Sequence, residues 1–209
     1  MNKHFITFEG PEGSGKTSVI EGVKTRLNEQ GYEVIITREP GGVAISEAIR
    51  NIILDVKNTA LDPITEALLF AASRRQHVLE VIEPALQAGK IVLCDRYVDS
   101  SLAYQGVGRD LGIEKVFELN QFAIQGLLPI LTVFIDVPPA AGLARIQSRA
   151  NHLDRLDRES LRFHEKVYQG YQTLAVRYPQ RFQIINGMNA LDDVITEAYD
   201  KVINHLTKE

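Results

Sequence analysis

The sequence lacks the features that mark secreted, membrane-spanning and general nucleic-acid-binding proteins. Its single cysteine, Cys94, cannot form an intrachain disulfide, and a lone cysteine is typical of a reducing compartment. No apolar run approaches the ~18 residues of a membrane span, and the first strand-like segment follows Met1 too closely for a signal peptide. The formal net charge of −4 and the lack of a basic run argue weakly against a nucleic-acid binder. We therefore expect a cytoplasmic protein with no membrane or nucleic-acid partner.

Length and composition are those of one folded domain. The chain has 209 residues, of which 44% are hydrophobic, so a single α/β domain over residues 1–209 can bury a full core. Short apolar segments predict strands at about 5–9, 34–37, 91–94, 131–137 and 182–185, and helical spacing predicts helices that include 45–54, 64–88 and 191–206. The strands do not alternate in polarity, so both of their faces should be covered. The expected fold has three layers, with a five-stranded parallel sheet between helices and ligands at the carboxyl ends of the strands.

Residues 10–17 read GPEGSGKT and match the phosphate-binding loop G-x-x-x-x-G-K-[ST]. A predicted strand precedes them and a predicted helix follows, which is the context that this loop requires. Its glycines let successive backbone N–H groups point into one concavity, Lys16 can reach the β- and γ-phosphates, and Thr17 can bind Mg²⁺. A glycine-rich turn that happens to precede a helix is the alternative, and the match at all four fixed positions disfavours it. The predicted nucleotide-binding residues are Gly10, Pro11, Glu12, Gly13, Ser14, Gly15, Lys16 and Thr17.

Charged residues follow two more predicted strands. Asp95 and Arg96 come directly after strand 91–94, where the carboxylate can hold Mg²⁺ through water and the guanidinium can grip a phosphate. Arg38 and Glu39 begin the segment REPGG after strand 34–37, a second candidate phosphate grip. The alternatives are a surface Asp–Arg pair and a turn that carries two charges. Placement at strand ends beside a phosphate loop favours function.

The residue after Asp95 separates the classes of protein that use a phosphate-binding loop. A GTP switch would carry an N-K-x-D motif, and none stands where one would be needed. Transport and motor ATPases usually have Asp-Glu after an apolar strand, with the Glu polarising the attacking water, whereas here an arginine follows. The chain is therefore predicted to transfer phosphoryl groups to a phosphorylated acceptor, which is already an anion and needs no general base. A P-loop ATPase or switch that regulates a partner is the alternative of a different class.

An arginine-rich segment, residues 145–158, is predicted to form a lid over the phosphates. Closure of such a lid would exclude water, which competes as an acceptor. Aspartates in the same segment offset part of its charge, so a solvated helix end is the alternative. The arginines concerned are Arg145, Arg149, Arg155 and Arg158.

Taken together, these motifs closely resemble the thymidylate kinase family. The resemblance rests on residues 8–17 (FEGPEGSGKT), 38–42 (REPGG), 69–75 (LFAASRR) and 95–106 (DRYVDSSLAYQG), and it covers essentially the whole chain. It implies a P-loop kinase fold and transfer of the γ-phosphoryl group of ATP to dTMP, giving dTDP and ADP in the pathway to dTTP, with Mg²⁺ as cofactor. A kinase for another nucleoside monophosphate is the nearest alternative and differs only at the base pocket.

The resemblance also implies roles for the matching residues. Phe70 would stack on thymine, Arg74 would donate to a thymine carbonyl, and Gln105, paired with Ser101 on one helical face, would read the base edge. Tyr104 would pack against the sugar where a ribose 2′-hydroxyl would sit. From the residues alone, Phe70 could equally be a core aromatic and Arg74 part of a surface ion pair.

Other matching residues would serve the phosphates. Glu12 would lie near the sugar 3′-hydroxyl, and the acceptor phosphate would be surrounded by Arg38, Arg50 and Arg96. Glu39 is also expected to bind the substrate. Thr17 and Asp95 are the expected metal ligands. The expected catalytic residues are Lys16, Asp95, Arg96, Arg149 and Arg155.

Ser14 marks a departure within the family. Some thymidylate kinases have a basic residue at this position of the loop, and here that cation is missing. The chain thus resembles the bacterial-type branch, in which the lid supplies charge for the transition state. The family is also homodimeric, and apolar helical faces near 45–54, 67–78 and 116–127 could supply the contact or could be ordinary core.

Overall fold

The computed structural model describes residues 4–147 and 153–207. Within them a sheet of parallel strands has the order β2-β3-β1-β4-β5. The strands are β1 (Phe5–Glu9), β2 (Val34–Arg38), β3 (Ile91–Asp95), β4 (Leu131–Asp136) and β5 (Phe182–Asn186). The predicted five-stranded parallel sheet is confirmed, and each strand lies within one residue of its predicted bounds.

Helices fill the connections between the strands. They are α1 (Lys16–Glu29), α2 (Ala44–Leu54), α3 (Pro63–His77), α4 (Glu83–Gln87), α5 (Val98–Ser101), α6 (Ile113–Ile124), α7 (Pro139–Gln147), α8 (Leu161–Arg177) and α9 (Leu191–Leu206). The single helix predicted over 64–88 is α3 and α4 joined by a π-helical turn at Val78–Ile82, and a second π-helical stretch, Leu102–Gly108, continues α5. No helix among residues 4–147 and 153–207 has the length and apolarity to cross a membrane.

The central strands alternate their side chains between two apolar cores. Phe5 of β1 and Phe134 of β4 enter a core that α6, α8 and the Val78–Ile82 turn complete, whereas Ile6 and Phe8 enter a core closed by α1 and α9. All five residues of β1 are buried, so this strand is covered on both faces. The result is the expected three-layer arrangement.

The order of the strands creates a crevice beyond β1. This strand lies between β3 and β4, so the chain moves to one side of β1 to form β2 and β3 and to the other to form β4 and β5. In open parallel sheets, ligands bind at this point, outside the carboxyl ends of the strands. The predicted phosphate loop follows β1, and Asp95 ends β3 beside it, with Arg96 directly after.

Candidate active site

The loop between β1 and α1 folds into a tight turn at the N-terminus of α1. Gly13 and Gly15 have positive φ angles of 69° and 87°, which residues with side chains rarely adopt. A Cβ on Gly13 would stand 2.1 Å from the carbonyl oxygen of Gly142, so the loop packs directly on α7. The backbone N–H groups and the dipole of α1 favour phosphate at this place.

Lys16 is held inside the loop by three acceptors. Its Nζ donates to the carbonyl oxygens of Gly10 at 3.0 Å and Pro11 at 3.1 Å, and to Ser14 Oγ at 3.2 Å. Burial, reinforced by the charge of Arg96, lowers the pKa of Lys16 to about 8 against the pull of nearby carboxylates. An incoming phosphate would therefore replace neutral acceptors with an anion and raise this pKa again.

Thr17 and Asp95 bring two oxygen ligands together beside the loop. Thr17 Oγ1 lies 3.4 Å from Asp95 Oδ2. Asp95 Oδ1 is buried and has no hydrogen-bond partner in the described part of the chain. An unsatisfied carboxylate oxygen next to a hydroxyl fits Mg²⁺, which prefers oxygen ligands and usually shares them with phosphates and water.

The described residues otherwise contain no group of three or more His, Cys, Asp or Glu side chains suited to a metal. A site that takes part of its ligands from a bound nucleotide is consistent with this. Thr17 and Asp95 would hold the ion, which, when bound, neutralises charge on the phosphates.

Arg96 is fixed between the phosphate loop and the helices behind it. Its φ of 66° lies in the left-handed region, which is uncommon for a residue other than glycine and recurs at functional sites. The guanidinium donates to the Gly10 carbonyl oxygen at 3.0 Å, the Tyr171 hydroxyl at 3.2 Å and Glu12 Oε1 at 2.9 Å. Burial favours the neutral form, but Glu12, together with Tyr104, Tyr171 and Asp95, outweighs it and raises the pKa of Arg96 above its usual value. The site therefore contains a permanent, rigid cation.

Glu12 is the anionic partner of this cation. Its Oε1 also accepts from the Tyr104 hydroxyl at 2.7 Å. Burial alone would raise the pKa of Glu12, but Arg96, Lys16 and the Tyr104 hydroxyl together lower it to about 2. The carboxylate is thus ionised at every ordinary pH. Its approach to a sugar 3′-hydroxyl stays a prediction.

Two cavities adjoin at this centre. The P-loop cavity is lined by Glu12, Gly13, Ser14, Gly15, Lys16, Thr17, Ser18, Arg38, Glu39, Arg50, Asp95, Arg96 and Ile146. The second cavity is lined by Glu12, Glu39, Pro40, Arg50, Leu54, Phe70, Arg74, Arg96, Ser100, Ser101, Tyr104, Gln105, Asp154 and Leu156. Glu12, Glu39, Arg50 and Arg96 belong to both linings, so a group bound in one cavity can meet a group bound in the other.

Arg38 and Arg50 converge on one backbone oxygen near this junction. Each donates through Nη1 to the carbonyl oxygen of Pro40 at 2.8 Å, and Arg38 also bonds Glu47 Oε1 at 2.8 Å. Burial and the neighbouring charge of Arg38 lower the pKa of Arg50. Like charges held this close favour an anion between them. The structure thus brings Arg50 and Arg96 to both cavities and Arg38 to the P-loop cavity.

Arg74 is a buried structural cation on the wall of the second cavity. It is 1% exposed, which excludes a surface ion pair. Nε donates to Glu39 Oε2 at 2.6 Å, Nη2 to the Tyr97 carbonyl at 3.0 Å, and Nη1 to Ser101 Oγ at 3.1 Å and to Asn120 Oδ1. Four of its five N–H groups thus bond to the protein. A bond from Arg74 to a thymine carbonyl stays a prediction.

The other predicted base and sugar contacts also line the second cavity. Phe70 is half-buried and faces it from α3. Ser101, Tyr104 and Gln105 reach it from α5 and the π-helical stretch that follows, and such stretches are frequent at functional sites. All of these residues are therefore brought together, although their contacts with a nucleotide stay predictions.

The predicted lid segment is described only in part. Arg149 lies outside the described residues. Arg145 donates to the Gly13 carbonyl oxygen at 3.3 Å, next to the phosphate loop. Arg155 instead donates to the Ile53 carbonyl oxygen at 2.8 Å and to Glu66 Oε2 at 2.5 Å. The structure thus places Arg155 beside the second cavity and does not bring it to the phosphate loop.

Sequence reasoning assigned no role to Glu9, which ends β1 at the back of the site. It is fully buried and accepts from the Tyr97 backbone N–H at 2.8 Å, the Ser100 hydroxyl at 2.6 Å and the Tyr171 hydroxyl at 2.9 Å. Burial, and then the charge of Asp99, raises the pKa of Glu9 to about 7. A charged residue at the end of an apolar strand was the signal that could have identified it.

Five residues of the second cavity were also missed. Pro40 and Asp154 lie inside segments that sequence analysis had singled out, and Ser100 lies within the motif after β3. Leu54 and Leu156 carry no signal, because an apolar residue on a cavity wall looks like any core residue in the sequence. The missed lining residues are Pro40, Leu54, Ser100, Asp154 and Leu156.

Comparison with known proteins agrees with this geometry. A sequence profile of thymidylate kinase matches residues 8–198. The thymidylate kinase of Geobacillus thermodenitrificans is 54% identical over 207 residues, covering 99% of this chain and 92% of that protein. That of Latilactobacillus sakei is 57% identical over 194 residues, covering 92% and 91%. The crystal structure of thymidylate kinase from Ehrlichia chaffeensis superposes with a TM-score of 0.76 at 34% identity, covering 96% of this chain and 97% of that one. The chain belongs to the thymidylate kinase family.

Proposed function

We propose that the two adjoining cavities hold the donor and the acceptor of a phosphoryl transfer. As a thymidylate kinase, the protein transfers the γ-phosphoryl group of ATP to dTMP and yields ADP and dTDP, which leads to dTTP for DNA synthesis. The observation that carries the proposal is the shared wall of the cavities, formed by Glu12, Glu39, Arg50 and Arg96. ATP would occupy the P-loop cavity and dTMP the second cavity, with their phosphates meeting at this wall.

The proposed chemistry depends on positioning and on charge. Lys16 would contact the β- and γ-phosphates of ATP. Arg38, Arg50 and Arg96 would hold the acceptor phosphate in line with them. The acceptor oxygen is already anionic, so no residue has to remove a proton. Thr17 and Asp95 would hold Mg²⁺. Arg149, if it covers the phosphates as predicted, would add charge from the lid.

The base would be recognised by groups of fixed orientation. Phe70 would stack on the ring, Arg74 and Gln105 would face its polar edge beside Ser101, and Tyr104, held by Glu12, would fill the space of a ribose 2′-hydroxyl. A site built to hydrogen-bond a base discriminates strongly against one that leaves its polar groups unpaired. The second cavity would therefore select both the base and the sugar.

Replacing Gln105 with alanine is expected to reduce the preference for dTMP over dCMP by about 10- to 100-fold, because a buried hydrogen-bonding group is lost. The preference is measured as the ratio of the two kcat/KM values. Gln169→Ala, the same change at an exposed position of α8, is the control and should leave the ratio unchanged. An unaltered ratio in Gln105→Ala would contradict the base-reading role.

We also propose that the protein is a homodimer. Exposed apolar side chains occur on α2, α3 and α6, and α3 packs against both α2 and α6. Exposed apolar groups gathered on neighbouring helices mark interaction surfaces. They are Ile45, Ile52, Ile64, Leu68 and Phe122. Sedimentation equilibrium should give twice the chain mass of 23.4 kDa. The mass of one chain at micromolar concentration would contradict the proposal.

We further propose a cytoplasmic location and a single domain. A cytoplasmic location is supported by the single cysteine, which is typical of reducing compartments, and cell fractionation tests it.

A single domain over 1–209 is supported by the interleaved order of the strands, since β1 lies between β3 and β4. One cooperative unfolding transition is expected, and two separate transitions would contradict it.

A further inference from the structure

Glu66, near the start of α3, is a fully buried carboxylate that contacts a residue of the second cavity's wall. Its Oε1 accepts from Gln105 Nε2 at 2.8 Å and from Arg109 Nε at 3.3 Å. Its Oε2 accepts from Arg109 Nη2 at 3.1 Å and from Arg155 Nη2 at 2.5 Å. One carboxylate thus joins α3, the base-facing Gln105 and the lid segment, which are far apart in the sequence.

The charges around Glu66 are balanced without any ligand. Arg109 also pairs with Glu159 Oε1 at 2.6 Å, so two carboxylates face two guanidinium groups. Burial alone would raise the pKa of Glu66, but the hydrogen bonds from Arg109, Gln105 and Arg155 outweigh it and lower the pKa. Arg155 therefore has its carboxylate partner, Glu66, within the protein itself.

Arg155 is also fixed to the end of α2. Its Nε donates to the carbonyl oxygen of Ile53 at 2.8 Å, and its backbone N–H to that of Leu54 at 3.1 Å. A cation is favoured at the carbonyl end of a helix. Leu54 and the next residue along the lid, Leu156, both line the second cavity. The contacts of Arg155 thus hold in place the apolar part of the cavity wall that Leu54 and Leu156 form.

Glu66 determines how the amide of Gln105 is oriented. An ionised carboxylate only accepts hydrogen bonds, so the amide nitrogen of Gln105 must face it. The carbonyl oxygen of Gln105 then remains for the cavity that this residue lines. Thymine carries an N–H between its two carbonyl groups and can donate to that oxygen. Cytosine has a lone pair at the same ring position, which would repel it.

We infer that Glu66 and Arg155 form a clamp that positions the base-recognition wall of the second cavity. Glu66 orients Gln105, and Arg155, held by Glu66, seats Leu156 and Leu54. Arg155 is therefore a positioning residue for the acceptor nucleotide, whatever it contributes to the phosphates. The inference rests on the proposed base-reading role of Gln105.

Binding of dTMP in the absence of ATP tests the clamp. Arg155→Met should weaken dTMP binding, measured by titration calorimetry, about tenfold, and should lower the dTMP-to-dCMP ratio of kcat/KM by a similar factor. Arg162→Met, the same change at an exposed position in the first turn of α8, is the matched control and should change neither. A residue that touched only ATP phosphates would lower kcat and leave dTMP binding and the ratio intact. That result would overturn the inference.

The coupling between the two residues gives a second test. Glu66→Gln keeps the size of the side chain but presents an N–H group to the arginines, so it should weaken dTMP binding as Arg155→Met does. The double variant should bind dTMP about as well as Glu66→Gln alone, because both changes break the same contact. Fully additive losses would contradict the clamp. If Glu66→Gln does not fold, Arg155→Met decides alone.

Gln105→Ala separates the clamp from the function on which it rests. If that variant keeps its base preference, the base-reading role fails, and the clamp fails with it as a recognition device. If Gln105→Ala loses the preference while Arg155→Met keeps both preference and dTMP affinity, only the clamp is wrong.

Discussion

Replacing Lys16 with methionine is expected to lower kcat by about 10²- to 10³-fold, the usual cost of removing one preorganised electrostatic contact to a transition state. The charge lost is the one that the loop holds at the junction of β1 and α1. Methionine keeps the approximate length and the apolar stem of lysine. It therefore fills the same buried space, and the fold should persist. Steady-state ADP release with saturating ATP and dTMP measures the effect, and circular dichroism checks the fold.

Lys24→Met in the same helix provides the control, because it removes the same charge two turns away from the loop. Its kcat should equal that of the unaltered protein. A Lys16→Met variant that retained near-normal kcat would show that the phosphate-binding assignment of residues 10–17 is wrong.

Replacing Arg96 with methionine should have a larger effect on activity, on the order of 10³-fold in kcat, as is usual for an arginine that neutralises a transferring phosphoryl group. The variant should also lose about 3 kcal/mol of stability, because Glu12 is left as a partly buried anion without its main partner. Arg96→Lys keeps the charge but not the planar fork of the guanidinium. Its kcat and stability should therefore lie between those of Arg96→Met and those of the unaltered protein. Arg177→Met, which breaks an exposed pair with Glu114, should change neither quantity.

The loss of stability has a signature in its pH dependence. The pKa of Glu12 falls from 4.5 to about 2 on folding, so its stabilising effect is present above pH 4.5 and is lost as pH falls toward 2. Arg96→Met should raise the pKa of Glu12 in the folded protein. The unfolding free energy should then fall less steeply as the pH is lowered from 4.5 toward 2. A double variant that adds Glu12→Gln should recover part of the stability, since the partly buried charge of Glu12 is then no longer left without Arg96. If the unfolding free energy of Arg96→Met falls just as steeply over this pH range, the pairing of Arg96 with Glu12 is contradicted.

The fold followed from the sequence because its signals are local. The segments FITFE and IVLCD are short, apolar and non-alternating, as is typical of strands buried on both faces. VIITR has the same pattern, but β2 lies at the edge of the sheet and is only partly buried. The phosphate loop was equally predictable, because its glycines and its lysine act within one turn of backbone. The π-helical turn at Val78–Ile82 was not predictable, since helical spacing through 64–88 continues across it.

The arrangement around Arg155 shows where sequence reasoning stopped. Charge and the family resemblance suggested that Arg155 serves phosphate, but the partner of Arg155 is Glu66, 89 residues away in the chain. Nothing near Glu66 in the sequence distinguishes it from an acidic residue in the first turn of any helix. Arg74 is similar, because its four protein contacts come from segments that only the fold brings together.

The most direct test of the account is ADP release from ATP and Mg²⁺ with dTMP, dUMP, UMP, dCMP, AMP and GMP added one at a time. The geometry predicts little release without an acceptor or when Mg²⁺ is chelated, and a clear preference for dTMP over UMP and dCMP. A strong preference for another monophosphate would keep the phosphate chemistry and overturn the base pocket. ADP release that proceeds equally with and without any acceptor would contradict the central claim that the second cavity binds the phosphoryl acceptor.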